Sequence, residues 1–433
     1  MSLTRNLVAY IHQKEITERD LARAATFTLD AIACAYAGRK TPVGAIITDW
    51  AKIAGDDAGR KALIMGALTH ITETDDLHRA SVTHPGCVVV PAVLAVGERI
   101  GASGTDILKA ILHGFEAMCR IGMGVGPAHY KIWHNTATCG PFGSAMGVAS
   151  LLNLSEDQTV HALGNAGTQA SGLWQFLETG AMSKHLHAGR AAEAGLIAAD
   201  MAAFDFTGPP EILEGDKAFF KAMCDNPTPD AILSNQNSDW QLLGTSIKPW
   251  PSCRHTHPVI DAALEIQKQL NGDTIKAIHI DTYQTAIDVC DEPTPTSDYK
   301  AKFSLQHCAA IALLRPAVDL ASFGDDARSQ STDLRTKTIV NTADPYARDY
   351  PLSWGAKLSV TCSDNTLITA TRTHCKGDPE LPLSDVEMRD KALSLLQFGG
   401  LTDGADIAVC KAVFDLPTSN QTPNILTNFL KTA

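Results

Sequence analysis

The chain has 433 residues, 45% hydrophobic and 19% charged, with 36 Lys and Arg against 48 Asp and Glu for a formal net charge of -12. That length accommodates two domains with a large core, and that composition excludes a disordered chain. The acidic balance argues against a nucleic acid or an anionic membrane as partner, so an anionic substrate would have to be drawn in by a local cluster of cations.

Met1 to Thr17 mixes Lys and Glu with apolar residues and lacks the apolar run of a signal peptide. From Thr17 to Gly38 the pattern is helical: Thr17 and Asp20 have capping-box spacing, Leu21, Ala25, Ile32 and Tyr36 recur on one face, and Gly38 can end the helix. Ala- and Gly-rich helical segments follow as far as Ala203, among them 87–97, 106–120, 138–152 and 156–169, the last opened by Ser155 with Gln158 three residues on. After Gly180 comes a helix whose first turn carries Lys184, His185 and His187, while Gly189, Ala191, Ala192, Ala194 and Gly195 supply little bulk. Such a helix belongs in a core with its polar start facing a cavity. A cation at a helix N-terminus opposes the macrodipole, so Lys184 either has an anionic partner or helps form an anion site. A buried packing helix with a snorkelling lysine fits these residues equally well.

Near Trp240 the texture changes. Residues 247–258 hold three prolines and an exposed-looking Arg-His-Thr-His run, followed by a helix with Pro258 in its first turn. Residues 275–283, 357–362 and 367–372 alternate as strands do, and 303–314 reads as a buried helix. From Asp385 helical spacing returns, as if to dock on the first domain. The fold class expected is mainly α: an all-helical domain, 1–245 and 400–433, plus a smaller α+β lid domain, 246–399. No stretch approaches the ~20 apolar residues of a membrane span. The eleven cysteines are scattered without a C-x-x-C pair, as for reduced thiols in a cytoplasmic protein.

Three polar clusters can carry chemistry. The first spans 73–86, where His84 suits a general acid or base and Asp75 or Asp76 could orient it; a solvated loop with Asp as a helix cap is the plainer account. In the second, 129–140, His134 precedes a small-residue helix, so that Asn135, Thr136 and backbone N–H groups could hold a carboxylate, or else merely cap the helix. The third, 248–258, puts Lys248, Arg254, His255 and His257 on a proline-stiffened segment. Carboxylate recognition explains its Arg and Lys, whereas a metal at His255 and His257 lacks a third ligand nearby. Phosphate-binding loop, Rossmann fingerprint and nucleophile elbow are all missing. What such groups can do without a cofactor is abstract a proton next to a carboxylate, with cations and backbone dipoles spreading the carbanion's charge.

The order of these segments resembles the MmgE/PrpD family. The matching landmarks are Asp75-Asp76 before His84-Pro85, His134-Asn-Thr-Ala-Thr-Cys-Gly, Ser183-Lys184-x-x-His187-x-Gly189, Lys248-Pro-Trp-Pro-Ser-Cys-Arg-x-Thr-His257-Pro and Lys302-Phe-Ser. The resemblance implies a helical domain joined to an α+β lid with the site in the cleft between them, in a homodimer without metal or other cofactor. It places Asp76, His84, His134 and Lys184 as catalytic groups, with His84 and Lys184 moving the proton and His134 and Arg254 stabilising charge. Asp75, Asn135, Thr136, Lys248, Cys253, Arg254, His257 and His307 would contact a small anionic carboxylate. Two departures tell against the family's cis-aconitate decarboxylase pattern: Leu77 stands where a Thr hydroxyl is usual, and His307 where a Tyr is common.

The function expected is a cofactor-free lyase or isomerase acting on a di- or tricarboxylate. A hydro-lyase of the 2-methylcitrate dehydratase type leads, an epimerase of the iminodisuccinate type follows, and a decarboxylase stands third. A non-catalytic carboxylate-binding protein and a metal-dependent hydrolase built on His255 and His257 are the alternatives of other classes.

Overall fold

The computed structural model describes residues 2–420 apart from 271 and 273, together with 424, 425 and 429. The chain divides into two compact units: Met1–Ile71, Asp75–Ser246 and Ser384 onward form unit 1, and Thr72–Thr74 with Ile247–Leu383 form unit 2. The architecture is mainly helical, with an α+β smaller unit.

Unit 1 runs through α1 (Leu3–Gln13), α2 (Glu18–Arg39), α3 (Pro42–Ala51), α4 (Ala58–Thr69), α5 (Gly86–Ile100), α6 (Gly104–Gly124), α7 (Asn135–Leu151), α8 (Glu156–Gly167), the single turn α9 (Phe176–Thr179), α10 (Ser183–Ala202) and α11 (Phe219–Met223). Local signals fix several starts. Thr17 and Asp20 form a reciprocal capping box on α2, and Ser155 and Gln158 form one on α8. The small residues of α10 let it lie against α4, α7 and α8. A methyl group at Gly195 would fall inside the envelopes of the Pro141 carbonyl oxygen and the Ser144 hydroxyl, so backbone meets backbone there. A short antiparallel ladder, β1 (Leu77–His78) with β2 (Thr245–Ser246), ties the loop after α4 to the end of the unit.

The helix Asp385–Phe398 packs on α2 in unit 1. Residues 385–399 were expected in the lid domain; the return to the helical unit instead begins at Ser384. The reason is electrostatic as well as apolar, because Asp30, buried in α2, is paired with Lys391 of that helix.

Unit 2 is built on a four-stranded sheet in the order β4-β3-β5-β6, where β3 is Ile275–Thr282, β4 Thr338–Thr342, β5 Ala356–Cys362 and β6 Leu367–Arg372. The β3/β5 and β5/β6 pairs are antiparallel and β3/β4 is parallel. On β5 the buried residues Ala356, Leu358, Val360 and Cys362 alternate with half-buried ones, and α12 (His257–Gln267) covers β5 and β6. The helix Leu305–Leu314 packs on α12 and completes that core.

Candidate functional site

The loop leaving α4 carries the first groups of the site. His70 is the residue at the C-cap of α4, and its Nδ1 lies 2.6 Å from Asp75 Oδ2. The same carboxylate oxygen is 3.4 Å from His84 Nδ1. His84 Nδ1 itself donates to the backbone carbonyl oxygen of Asp76 at 2.6 Å. A carbonyl only accepts, so the hydrogen sits on Nδ1 and the lone pair of the neutral ring belongs to Nε2. Val82 holds φ at 51°, a conformation that costs a β-branched residue, two positions before His84.

Both oxygens of Asp76 accept from the Gly86 N–H at 3.0 Å, so the carboxylate caps the start of α5. The segment is not solvated, since His70 to His78 are all buried. Thr136 accepts the His84 N–H at 3.1 Å, and Asn135 donates to the Ser81 carbonyl at 2.9 Å. In unit 1 these two residues fix the loop that carries His84.

Around this loop unit 1 gathers imidazoles. The His70 ring is 4.7 Å from that of His84, 5.6 Å from that of His134 and 6.5 Å from that of His185, centroid to centroid. His134 is in turn 5.6 Å from His187 and 4.8 Å from Trp174. Buried nitrogens of His70 (Nε2), His134 (Nδ1), Trp174 (Nε1) and His187 (Nδ1) have no hydrogen-bond partner among the described residues. Each such atom costs about 1–3 kcal/mol, so four around one set of rings mark a place that suits a polar guest. His129, by contrast, has both ring nitrogens engaged, by Met223 O and Thr138 Oγ1.

Burial, joined by His70, Lys184, His187 and His84, holds the His134 imidazole well below its ordinary pKa. His134 is therefore neutral near pH 7, and the charge stabilisation expected of it is limited to neutral hydrogen bonding. Lys184, in the first turn of α10, is buried and close enough to act electrostatically on His134 and on the Cys87 thiol.

Unit 2 holds the other expected residues. The Lys248 ammonium is 3.5 Å from Glu73, both buried, and Glu73 adopts φ 58°. Lys302 donates to the Thr72 carbonyl at 2.8 Å. Arg254, His255 and His257, expected to be exposed, are all buried. Arg254 pairs with Asp378, and its Nη1 has no partner among the described residues. The Cys290 thiol beside it holds Cys253 below the usual thiol range. His255 donates to or accepts from Tyr283 Oη at 2.6 Å and stacks on Trp354, while His257 Nε2 meets the Ser252 carbonyl at 3.2 Å. The His257 Nδ1 has no partner among the described residues.

His307 is a correction. Its Nδ1 is 3.0 Å from Ser331 Oγ and its Nε2 2.9 Å from the Ser322 carbonyl, so the ring is a satisfied interior group with no nitrogen left for a substrate.

One set of potential metal ligands lies in the first cluster, where ligand atoms of His70, Asp75 and His84 fall within 4.8 Å of one another. The 2.6 Å between His70 Nδ1 and Asp75 Oδ2 is a hydrogen-bond length. Two ligands at ~2.0–2.1 Å from a tetrahedral ion lie more than 3 Å apart. A second set, His374, Asp378 and Glu380, includes the carboxylate already neutralised by Arg254.

The profile of the MmgE/PrpD N-terminal domain matches residues 5–232, and that of the MmgE/PrpD C-terminal domain matches residues 250–416. The chain belongs to the MmgE/PrpD family. Among curated relatives, cis-aconitate decarboxylase of Homo sapiens is 26% identical over 424 residues, covering 90% of this chain and 87% of its own length. The Mus musculus protein of the same name is 27% identical over 432 residues, 90% and 86% of the two chains. That of Aspergillus terreus is 26% identical over 440 residues, 92% and 88%. These MmgE/PrpD relatives are enzymes, and no helix among the described residues of this member is long and apolar enough to cross a membrane.

Reasoning from sequence missed His70, Glu73 and Trp174 in this MmgE/PrpD chain. His70 stands at the end of a helix with no motif around it, and Trp174 in an irregular stretch. Glu73 had a signal, an acid two residues before the Asp75-Asp76 pair, but nothing local linked it to Lys248.

Proposed function

We propose that this protein is a metal-independent lyase or isomerase that moves a proton at a carbon next to a carboxylate of a small di- or tricarboxylate. The observation that carries this reading is the ring cluster of unit 1, where His84, with its lone pair on Nε2, neighbours His70, His134 and, through them, Lys184. In this reading His84 is the base, and Lys184 returns the proton or meets the charge that develops on the carboxylate. His134 contributes as a neutral donor. Lys248 and Arg254, with Asn135, Cys253 and His257 as further candidates, are retained as proposed substrate contacts.

The MmgE/PrpD relatives make cis-aconitate the first substrate to try, with loss of CO₂ as the outcome. A second reading, dehydration of a 2-methylcitrate-like hydroxy acid, is favoured by Leu77, a buried apolar residue where the decarboxylase-type pattern has a hydroxyl. Return of the proton to the opposite face, as in an iminodisuccinate epimerase, shares the first step.

The test is incubation of purified protein with cis-aconitate, 2-methylcitrate and iminodisuccinate before and after exhaustive chelation. CO₂ release, alkene absorbance and optical rotation are followed together. Turnover of one of them that survives metal removal supports the proposal, and turnover that returns only with an added divalent ion refutes it. The homodimer expected of the family is proposed as well, and its mass in solution is measured by light scattering.

A further inference from the structure

The Asp75 carboxylate oxygen Oδ2 stands between two imidazoles, 2.6 Å from His70 Nδ1 and 3.4 Å from His84 Nδ1. The shorter contact is a full hydrogen bond and the longer one is not, so of the two rings Oδ2 is bonded to His70. His84 spends its own N–H on the Asp76 carbonyl. Other titratable groups lie near it. Asp76 is occupied by the Gly86 N–H, His134 is kept neutral by burial, Lys184 acts in the opposite sense to Asp75, and the Cys87 thiol donates to the His84 carbonyl at 3.1 Å. His70 differs from the packing histidines His129 and His307, which have both nitrogens paired, because its Nε2 has no partner among the described residues.

We propose that His70 is a positioning residue for His84: by holding the Asp75 carboxylate on its own Nδ1–H, it keeps that negative charge from closing on the His84 ring. Without its His70 donor, Asp75 can turn toward a closer ion-pair geometry with His84, which favours the imidazolium and takes the base out of use. The inference rests on the reading of His84 as base, but the interaction itself exists in the protein without substrate.

The test therefore uses ligand-free protein carrying ¹³C at histidine Cε1, with the His84 resonance identified by its loss in His84→Gln. In His70→Ala the His84 pKa rises by about 1 pH unit or more. In His70→Asn, whose amide Nδ2 can replace the Nδ1 donor, it stays within a few tenths of the wild type. Asp75→Asn in the presence of His70 lowers it. Where turnover is measurable, the acid limb of kcat/KM moves upward in His70→Ala by the same amount, and KM alone does not account for the loss. Equal titration of His84 in wild type and His70→Ala, a shift in His70→Asn as large as in His70→Ala, or no downward shift in Asp75→Asn would each overturn the inference. Should His70→Ala not fold, the Asn variants decide. Absence of turnover with every polycarboxylate would count against the proposed activity and leave the titration result standing.

Discussion

His84 Nδ1 lies 2.6 Å from the backbone carbonyl oxygen of Asp76. A backbone acceptor fixes the tautomer at no cost in net charge, and it leaves Nε2 as the basic atom whatever side chain occupies position 76.

His84→Gln keeps a polar side chain of similar reach and removes the titrating nitrogen. We expect kcat to fall by roughly 10²–10⁴, the usual weight of a general base, with KM changed by only a few-fold. Steady-state kinetics on the substrate found in the screen check this, and a variant within ten-fold of wild type would move the base elsewhere.

Asp76→Ala separates stability from chemistry. The side chain caps α5 through the Gly86 N–H, and its loss leaves a buried donor unpaired at a cost of about 1–3 kcal/mol. Urea unfolding should show that loss, Asp76→Asn should recover part of it, and the turnover of the folded fraction should stay within a few-fold of wild type.

Gly195→Ala tests the close approach of α10 to α7. The added methyl meets the Pro141 carbonyl oxygen, which cannot move without breaking α7. A loss of about 1–3 kcal/mol or more is expected in urea, whereas Ala at the open Gly180 costs only the strain of its left-handed φ of 67°.

Burial lowers His78, His113, His187 and His307 each to about 4, and His134 and His257 well below 6.5. The unfolded chain, titrating near 6.5, then binds protons that the folded chain refuses. Their contribution to stability is complete above about pH 7 and is lost as pH falls from there toward 4. Urea midpoints taken from pH 7.5 to 5 should fall steadily, each histidine adding up to about 1.4 kcal/mol per pH unit. A midpoint that is flat across this interval would contradict the buried neutral state of these rings.

Much of the fold was legible because its signals are local. The capping boxes at Thr17 and Ser155, the alternation of 275–282 and 356–362, and the small residues of α10 all lie within a few positions of what they specify. β4 was missed because an edge strand of half-exposed residues shows no clean period, and it pairs with β3 over some sixty intervening residues. In the candidate site, His84, His134 and Lys184 stood out by their landmarks. The division of labour between Asp75 and Asp76 did not, because one turns toward α4 and its neighbour toward the start of α5, ten residues on. His307 misled because a buried histidine satisfied by serines reads the same in sequence as one that faces a ligand.

The central claim is proton transfer by the unit 1 cluster to or from a carbon beside a carboxylate. Its most direct measurement is proton NMR of cis-aconitate, 2-methylcitrate and iminodisuccinate incubated in D₂O with wild type and with His84→Gln. We predict deuterium at that carbon in substrate or product with the wild type, and incorporation slowed at least a hundred-fold, of the order expected for a lost base, in the variant. Incorporation at equal rates in both proteins, or none with any of the three acids, would contradict the account.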